Sequence, residues 1–145
     1  MARIENILLV EDNPDDVELI RYAFRKAGIA SPIHLASDGE QAIAYLQGIS
    51  PFDDRTAYPL PSLILLDLKL PRRSGFEVLE FAKGNVSTKL IPVVVLTSSN
   101  QTNDIRKAYE LCANSYLVKP VSRDSLIEMM RSLDNYWLGL NEPVR

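Results

Sequence analysis

The sequence predicts an α/β protein, a doubly wound five-stranded parallel sheet with five helices. Three observations carry this expectation. Short unbroken apolar runs, such as Ile7-Leu8-Leu9-Val10 and Leu63-Ile64-Leu65-Leu66, have the pattern of strands buried on both faces. Stretches with a 3.6-residue apolar period alternate with these runs, as crossover helices would. Polar residues stand directly after the apolar runs, and the carboxyl ends of parallel strands are where such sheets carry their chemistry.

The elements follow in order. After the first run and its acids Glu11 and Asp12, Asn13-Pro14-Asp15-Asp16 gives a helix start: a capping residue, proline at the first helical position and carboxylates in the first turn. Val17, Ile20, Phe24 and Ala27 keep the helical period until Gly28. Ile33-His34-Leu35-Ala36 is a shorter, more polar strand expected at a sheet edge, and its histidine is expected to be a surface or strand-packing residue. Asp38 and Gln41 form a capping box for a helix carrying Ala42, Tyr45 and Leu46. Gly48 to Pro61 holds three of the nine prolines and no period, so a long connection is expected there.

Leu63 to Leu66 then runs into Asp67, with Pro71 closing the turn. The next helix spans Gly75 to Lys83 with Gly75, Val78, Leu79 and Ala82 inward, and Gly84-Asn85 breaks it. Ile91 to Leu96 is a strand that tolerates proline at its start and ends in Thr97-Ser98-Ser99. The helix after it is expected to turn Ile105, Ala108, Tyr109 and Cys112 inward, with Cys112 as a small apolar filler. Tyr116-Leu117-Val118 is the last strand and leads to Lys119-Pro120. Ser122 caps a final helix with Leu126, Met130, Leu133 and Trp137 on one face.

At 145 residues the chain suits one domain with a proper core, residues 1–145, ending in a short extension over about 138–145. A net charge of −3 gives no electrostatic footprint for nucleic acid or an anionic membrane. One cysteine excludes a disulfide framework. The amino terminus lacks a signal-peptide apolar region and no stretch could span a bilayer, so a cytoplasmic protein is expected. Gly139 to Arg145 leaves no room for a helix-turn-helix or catalytic output domain, so output is expected to pass through protein contacts.

Glu11, Asp12, Asp67, Thr97 and Lys119 stand at four strand ends and should converge on one crevice. Clustered carboxylates call for a hard cation, and oxygen donors with open positions suit Mg²⁺. The single histidine does not support a zinc site. With Mg²⁺ in place an aspartate can attack a phosphoryl group, while a hydroxyl and an ammonium hold its oxygens. No nucleotide-binding glycine loop is present.

Taken together, Ile7-Leu8-Leu9-Val10-Glu11-Asp12-Asn13, Leu66-Asp67-Leu68-Lys69-Leu70-Pro71 with Gly75, Leu96-Thr97-Ser98 and Tyr116-Leu117-Val118-Lys119-Pro120 resemble the receiver domain of two-component response regulators. The resemblance implies a flavodoxin-like sheet of order 2-1-3-4-5. It implies that Asp67 accepts a phosphoryl group from a histidine kinase. Asp12 and Asp67 would bind Mg²⁺ with the backbone carbonyl of Lys69, and Glu11 would act directly or through water. Thr97 becomes the switch hydroxyl, Tyr116 the switch aromatic and Lys119 the phosphate-sensing ammonium. A cis peptide bond is expected after Lys119, where Pro120 makes it accessible. The long proline-containing connection, the Ser98-Ser99 pair and the Tyr136-Trp137-Leu138 end are similar to single-domain regulators paired with bacterial phytochromes.

Lys69 and Ser74 depart from the family pattern; Lys69 could sit near the phosphoryl group, and Ser74 still caps a helix. Two other readings stand beside the switch: a binding module of the same fold that never uses phosphate, and a Mg²⁺-dependent phosphatase with an aspartyl nucleophile. The crowded carboxylates argue against the first, and Lys69 with the tight Pro71 turn against the second. Trp137, with Leu138 and Leu140 beyond it, is expected to form a homodimer contact.

Overall fold

The structure is a computed structural model that describes residues 5–144. Residues 1–4, part of the terminus read as lacking a signal peptide, and residue 145 lie outside the described residues. Five strands, β1 (Ile7–Val10), β2 (Ile33–Ala36), β3 (Leu63–Leu66), β4 (Val93–Thr97) and β5 (Ser115–Val118), alternate with five helices. These are α1 (Pro14–Ala27), α2 (Gly39–Gln47), α3 (Gly75–Gly84), α4 (Thr102–Glu110) and α5 (Arg123–Asn135), the last continuing into a π-helical turn over Tyr136–Leu140. All pairings are parallel and the sheet order is β2-β1-β3-β4-β5. β2 lies at an edge, as its mixed polarity predicts.

The period-two alternation of the strands divides the core into two layers. Ile7, Leu9, Leu63, Leu65, Val94 and Leu96 meet Val17, Ile20 and Phe24 of α1 and Leu126, Met130 and Leu133 of α5. Their neighbours Leu8, Val10, Ile64, Leu66, Val93 and Val95 meet α2, α3 and Ala108 of α4 on the opposite face. β1, β3 and β4 are buried throughout, which is why they read as unbroken apolar runs.

The helix starts follow their capping chemistry. Asn13 Oδ1 accepts the N–H groups of Asp15 and Asp16, and Pro14 occupies the first turn. Gly28 ends α1 at φ 75°, and its N–H returns to Arg25 and Phe24 carbonyls. The expected box at α2 is half formed: Asp38 accepts from Gln41 N–H at 2.7 Å, while Gln41 Oε1 takes the N–H of Ser37 instead. Ser74 and Ser122 cap α3 and α5.

The connection between α2 and β3 is tied down. Tyr45, Phe52 and Tyr58 stack with centroids 5.2 to 6.0 Å apart, and Arg55 donates to the carbonyls of Tyr45, Leu46 and Tyr58. His34 packs its ring 6.0 Å from that of Tyr45.

Three expectations need correction. α4 stops at Glu110, and the chain then reverses through Cys112 at φ 73°, leaving the cysteine exposed rather than inward. Tyr109 is 49% exposed for a different reason: within α4 it stands about 100° round the axis from Ala108, the residue through which the helix packs, and Ala113 takes the buried position beyond the reversal. The cis peptide bond falls at Ser50–Pro51, not after Lys119; Lys119 reaches its carboxylate partners without it. No described helix is long and apolar enough to cross a membrane.

Candidate functional site

Strand register delivers the site. Val10 pairs with Leu66, and Thr97 pairs with Val118, so the residues after β1, β3 and β5 emerge beside the last residue of β4. The ladder continues past the strand ends: Asp67 N–H donates to Val10 O at 3.0 Å and Lys119 N–H to Thr97 O at 2.8 Å. These bonds fix the backbone from which each functional side chain departs.

Asp67 is 8% exposed and both its oxygens are engaged. Oδ1 accepts Thr97 Oγ1–H at 2.8 Å and the N–H of Lys69 at 3.3 Å, while Oδ2 faces Lys119 Nζ at 3.3 Å. The start of α3 presses on the segment that follows β3, with Gly75 N–H on Leu68 O at 2.9 Å. A Cβ at Gly75 would fall 2.2 Å from the Asp67 carbonyl oxygen and 2.5 Å from Leu68 Cα, so a glycine is needed for this approach.

Glu11 is almost fully buried. Oε1 accepts from Lys119 at 2.5 Å and Oε2 from Asn13 N–H at 3.1 Å. Burial pushes its pKa up to about 6, against the hydrogen bonds from Lys119 and Asn13 that favour the anion. For Lys119 burial works to lower the pKa, but hydrogen bonds to Glu11 and Asp16 and the charge of Asp67 outweigh it and hold the ammonium. Asp12 is exposed at the rim, and one carboxylate oxygen each from Glu11, Asp12 and Asp67 lies within 4.8 Å of the others. A donor set of oxygens alone, two carboxylates buried and one open at the rim, fits a hard divalent cation such as Mg²⁺.

The structure therefore brings Glu11, Asp12, Asp67, Thr97 and Lys119 into one crevice. The Lys69 backbone sits beside Asp67, and its side chain is exposed. Tyr116 approaches indirectly: half-buried against the α2–α4 layer, it donates its hydroxyl to Ser99 O at 2.9 Å. Trp137 stands apart, at the far end of an α5 roughly 20 Å long, half-buried against the α1–α5 layer and edge-to-face with Tyr136 at 5.0 Å. Sequence reasoning missed Asp16, whose Oδ2 lies 3.0 Å from Lys119 Nζ. Its signal was its place one helical turn beyond Asp12, where it reads equally well as a first-turn carboxylate.

The sequence profile of the response regulator receiver domain matches residues 7–131. The chain belongs to this family. Among relatives of this receiver, the probable methanogenesis regulatory protein FilR2 of Methanothrix harundinacea is 42% identical over 135 residues, covering 93% of this chain and 84% of FilR2. Response regulator Rcp1 of Synechocystis sp. is 39% identical over 132 residues, covering 91% and 88%. The Mn²⁺-bound structure of Rcp1 superposes with a TM-score of 0.87 at 37% identity, over 97% of this chain and 99% of that one. The phosphorylated cyanobacterial phytochrome response regulator RcpA superposes with a TM-score of 0.91 at 34% identity, over 99% and 100%. A receiver is the phosphoacceptor module of two-component signalling.

Proposed function

We propose that this receiver is a phosphorylation switch in which Asp67 takes a phosphoryl group from a sensor histidine kinase and alters the protein-contact face of α4, β5 and α5. The observation that carries the reading is the engagement of one buried carboxylate from two neighbouring strands, by Thr97 Oγ1 and Lys119 Nζ, beside Glu11 and Asp12. Glu11, Asp12, Asp67 and the backbone carbonyl of Lys69 would hold Mg²⁺, which supplies charge neutralisation to the attacking carboxylate and the incoming phosphoryl oxygens.

Asp67 attacks the phosphorus of a phosphohistidine; the new O–P bond forms as the P–N bond breaks and the imidazole leaves. Thr97 and Lys119 then move from the carboxylate to the phosphoryl oxygens. Tyr116 follows Thr97, since its hydroxyl is anchored on Ser99 in the same loop. The face it joins exposes Tyr109, Val118 and Val121. Turnover is confined to the protein's own acyl phosphate, so the chain is a switch rather than an enzyme acting on free substrates.

The description of RcpA as a cyanobacterial phytochrome response regulator supports a phytochrome-type kinase as the donor, whereas the name of FilR2 attaches to methanogenesis regulation. The carboxyl-terminal turn supports a homodimer: Tyr136 and Leu140 are exposed beside half-buried Trp137. Intact mass after incubation with acetyl phosphate and Mg²⁺ tests the switch. One stable phosphoryl adduct on the wild type and none on Asp67→Asn supports it. Absence of any adduct supports a phosphate-independent binding module, and rapid turnover of many phosphoesters a phosphatase.

A further inference from the structure

We propose that Asp16 is a positioning residue that draws the Lys119 ammonium toward α1 and so keeps it from closing on the Asp67 carboxylate that a divalent cation would share. The inference rests on the reading of Asp67 as the phosphoacceptor.

An ammonium carries three N–H donors, and that of Lys119 faces three carboxylates. Its distances are 2.5 Å to Glu11, 3.0 Å to Asp16 and 3.3 Å to Asp67, so the nucleophile holds it least closely. Asp16 stands outside the group of carboxylates that could share a metal, and it meets the site through Lys119. Its place is built in: Asn13 accepts the N–H of Asp16 itself, which fixes the first turn of α1. Asp16 also lines a cavity of about 50 Å³, shared with Leu19, Lys119 and Leu126, between α1, the loop after β5 and α5. The ammonium is thus held at the α1 edge of the crevice.

The side chain of Asp16 is 37% exposed, against 2% for Glu11 and 10% for Asp67. So open an ion pair adds little to stability. Its effect is on where the cation of Lys119 rests. Without Asp16, the freed N–H turns to Asp67, the carboxylate that Lys119 holds least closely. An ammonium and a metal ion compete for the same oxygens, so metal binding weakens.

The test is calorimetric titration of Mg²⁺ into the full chain, with no phosphoryl donor present. Wild type, Asp16→Asn, Asp16→Ser and Asp16→Glu are compared, each also in a Lys119→Met background. Asp16→Asn and Asp16→Ser are expected to raise the Mg²⁺ Kd about two- to fivefold, the size of an exposed ion pair, and Asp16→Glu to restore it. In the Lys119→Met background the Asp16→Asn step is expected to vanish. An unchanged or lower Kd in Asp16→Asn overturns the proposal. So does an equal loss in both backgrounds, which would make Asp16 a diffuse charge rather than a partner of Lys119. Phosphoryl labelling of the wild type reports on Asp67 separately: labelling with no Kd change removes the role of Asp16 alone, and a Kd cycle as expected without labelling removes the acceptor reading alone.

Discussion

Raising the pH in the absence of divalent cations is expected to cost the wild type more stability than it costs Glu11→Gln. The Glu11 side chain is 2% exposed, and burial lifts its pKa from 4.5 to about 6 although Lys119 and Asn13 hydrogen-bond the anion. The folded state therefore holds this proton more tightly than the unfolded chain does. The stability it contributes is complete below pH 4.5 and is lost as the pH rises through about 6. A pKa raised by about 1.5 corresponds to about 2 kcal/mol, or roughly 7 °C in Tm for a domain of this size. Lys119 stays protonated across this window, since its own pKa is raised, so it adds no slope. Urea unfolding followed by circular dichroism at several pH values, with EDTA present, gives the two curves. The stability difference should change by about 2 kcal/mol between pH 4 and 7. Parallel curves would show that Glu11 titrates alike in both states and would refute the reasoning. A wild type that gains on the variant as pH rises would mean that Lys119 outweighs burial.

Three further outcomes follow from the geometry. Gly75→Ala forces a Cβ against Asp67 O and Leu68 Cα, backbone atoms that cannot yield separately, and should cost about 3 kcal/mol; an unchanged melting temperature would show that α3 can shift without cost. Lys69→Asn should speed decay of the phosphorylated protein by up to about fivefold, because an exposed ammonium two residues after the acceptor competes with water for the phosphoryl oxygens; equal decay removes the side chain from the mechanism. Trp137→Ala should lower stability by about 1–2 kcal/mol, since the ring is half-buried on its own α1–α5 layer, and should also abolish concentration-dependent sedimentation. Monomeric behaviour of wild type and variant alike, with and without phosphorylation, would exclude the dimer.

The sheet was legible because β1, β3 and β4 are buried on both faces and so leave unbroken apolar runs. The positions of Glu11, Asp12, Asp67, Thr97 and Lys119 followed from those runs, since parallel strands end on one side. α4 was less legible: no glycine or proline marks its end, and a non-glycine residue, Cys112, makes the reversal at φ 73°. The apolar period therefore runs on after the helix has stopped, which misplaced Cys112, whereas Tyr109 was misplaced because α4 buries the narrow stripe at Ala108 and not its flank. Asp16 was hidden because a first-turn carboxylate serves a helix dipole whichever way it faces, and its facing depends on how Asn13 sets the entry of α1. The anchoring of the long connection rests on Arg55 reaching backbone carbonyls, an interaction without a sequence pattern.

Chemical trapping of the labelled residue tests the central claim most directly. Borohydride reduces an acyl phosphate on aspartate to homoserine, which peptide mass spectrometry locates. After incubation with acetyl phosphate and Mg²⁺, homoserine is expected at position 67, and EDTA is expected to abolish it. Trapping at Asp12, Asp16 or any other carboxylate, or none at all in a protein that binds Mg²⁺, would contradict the account.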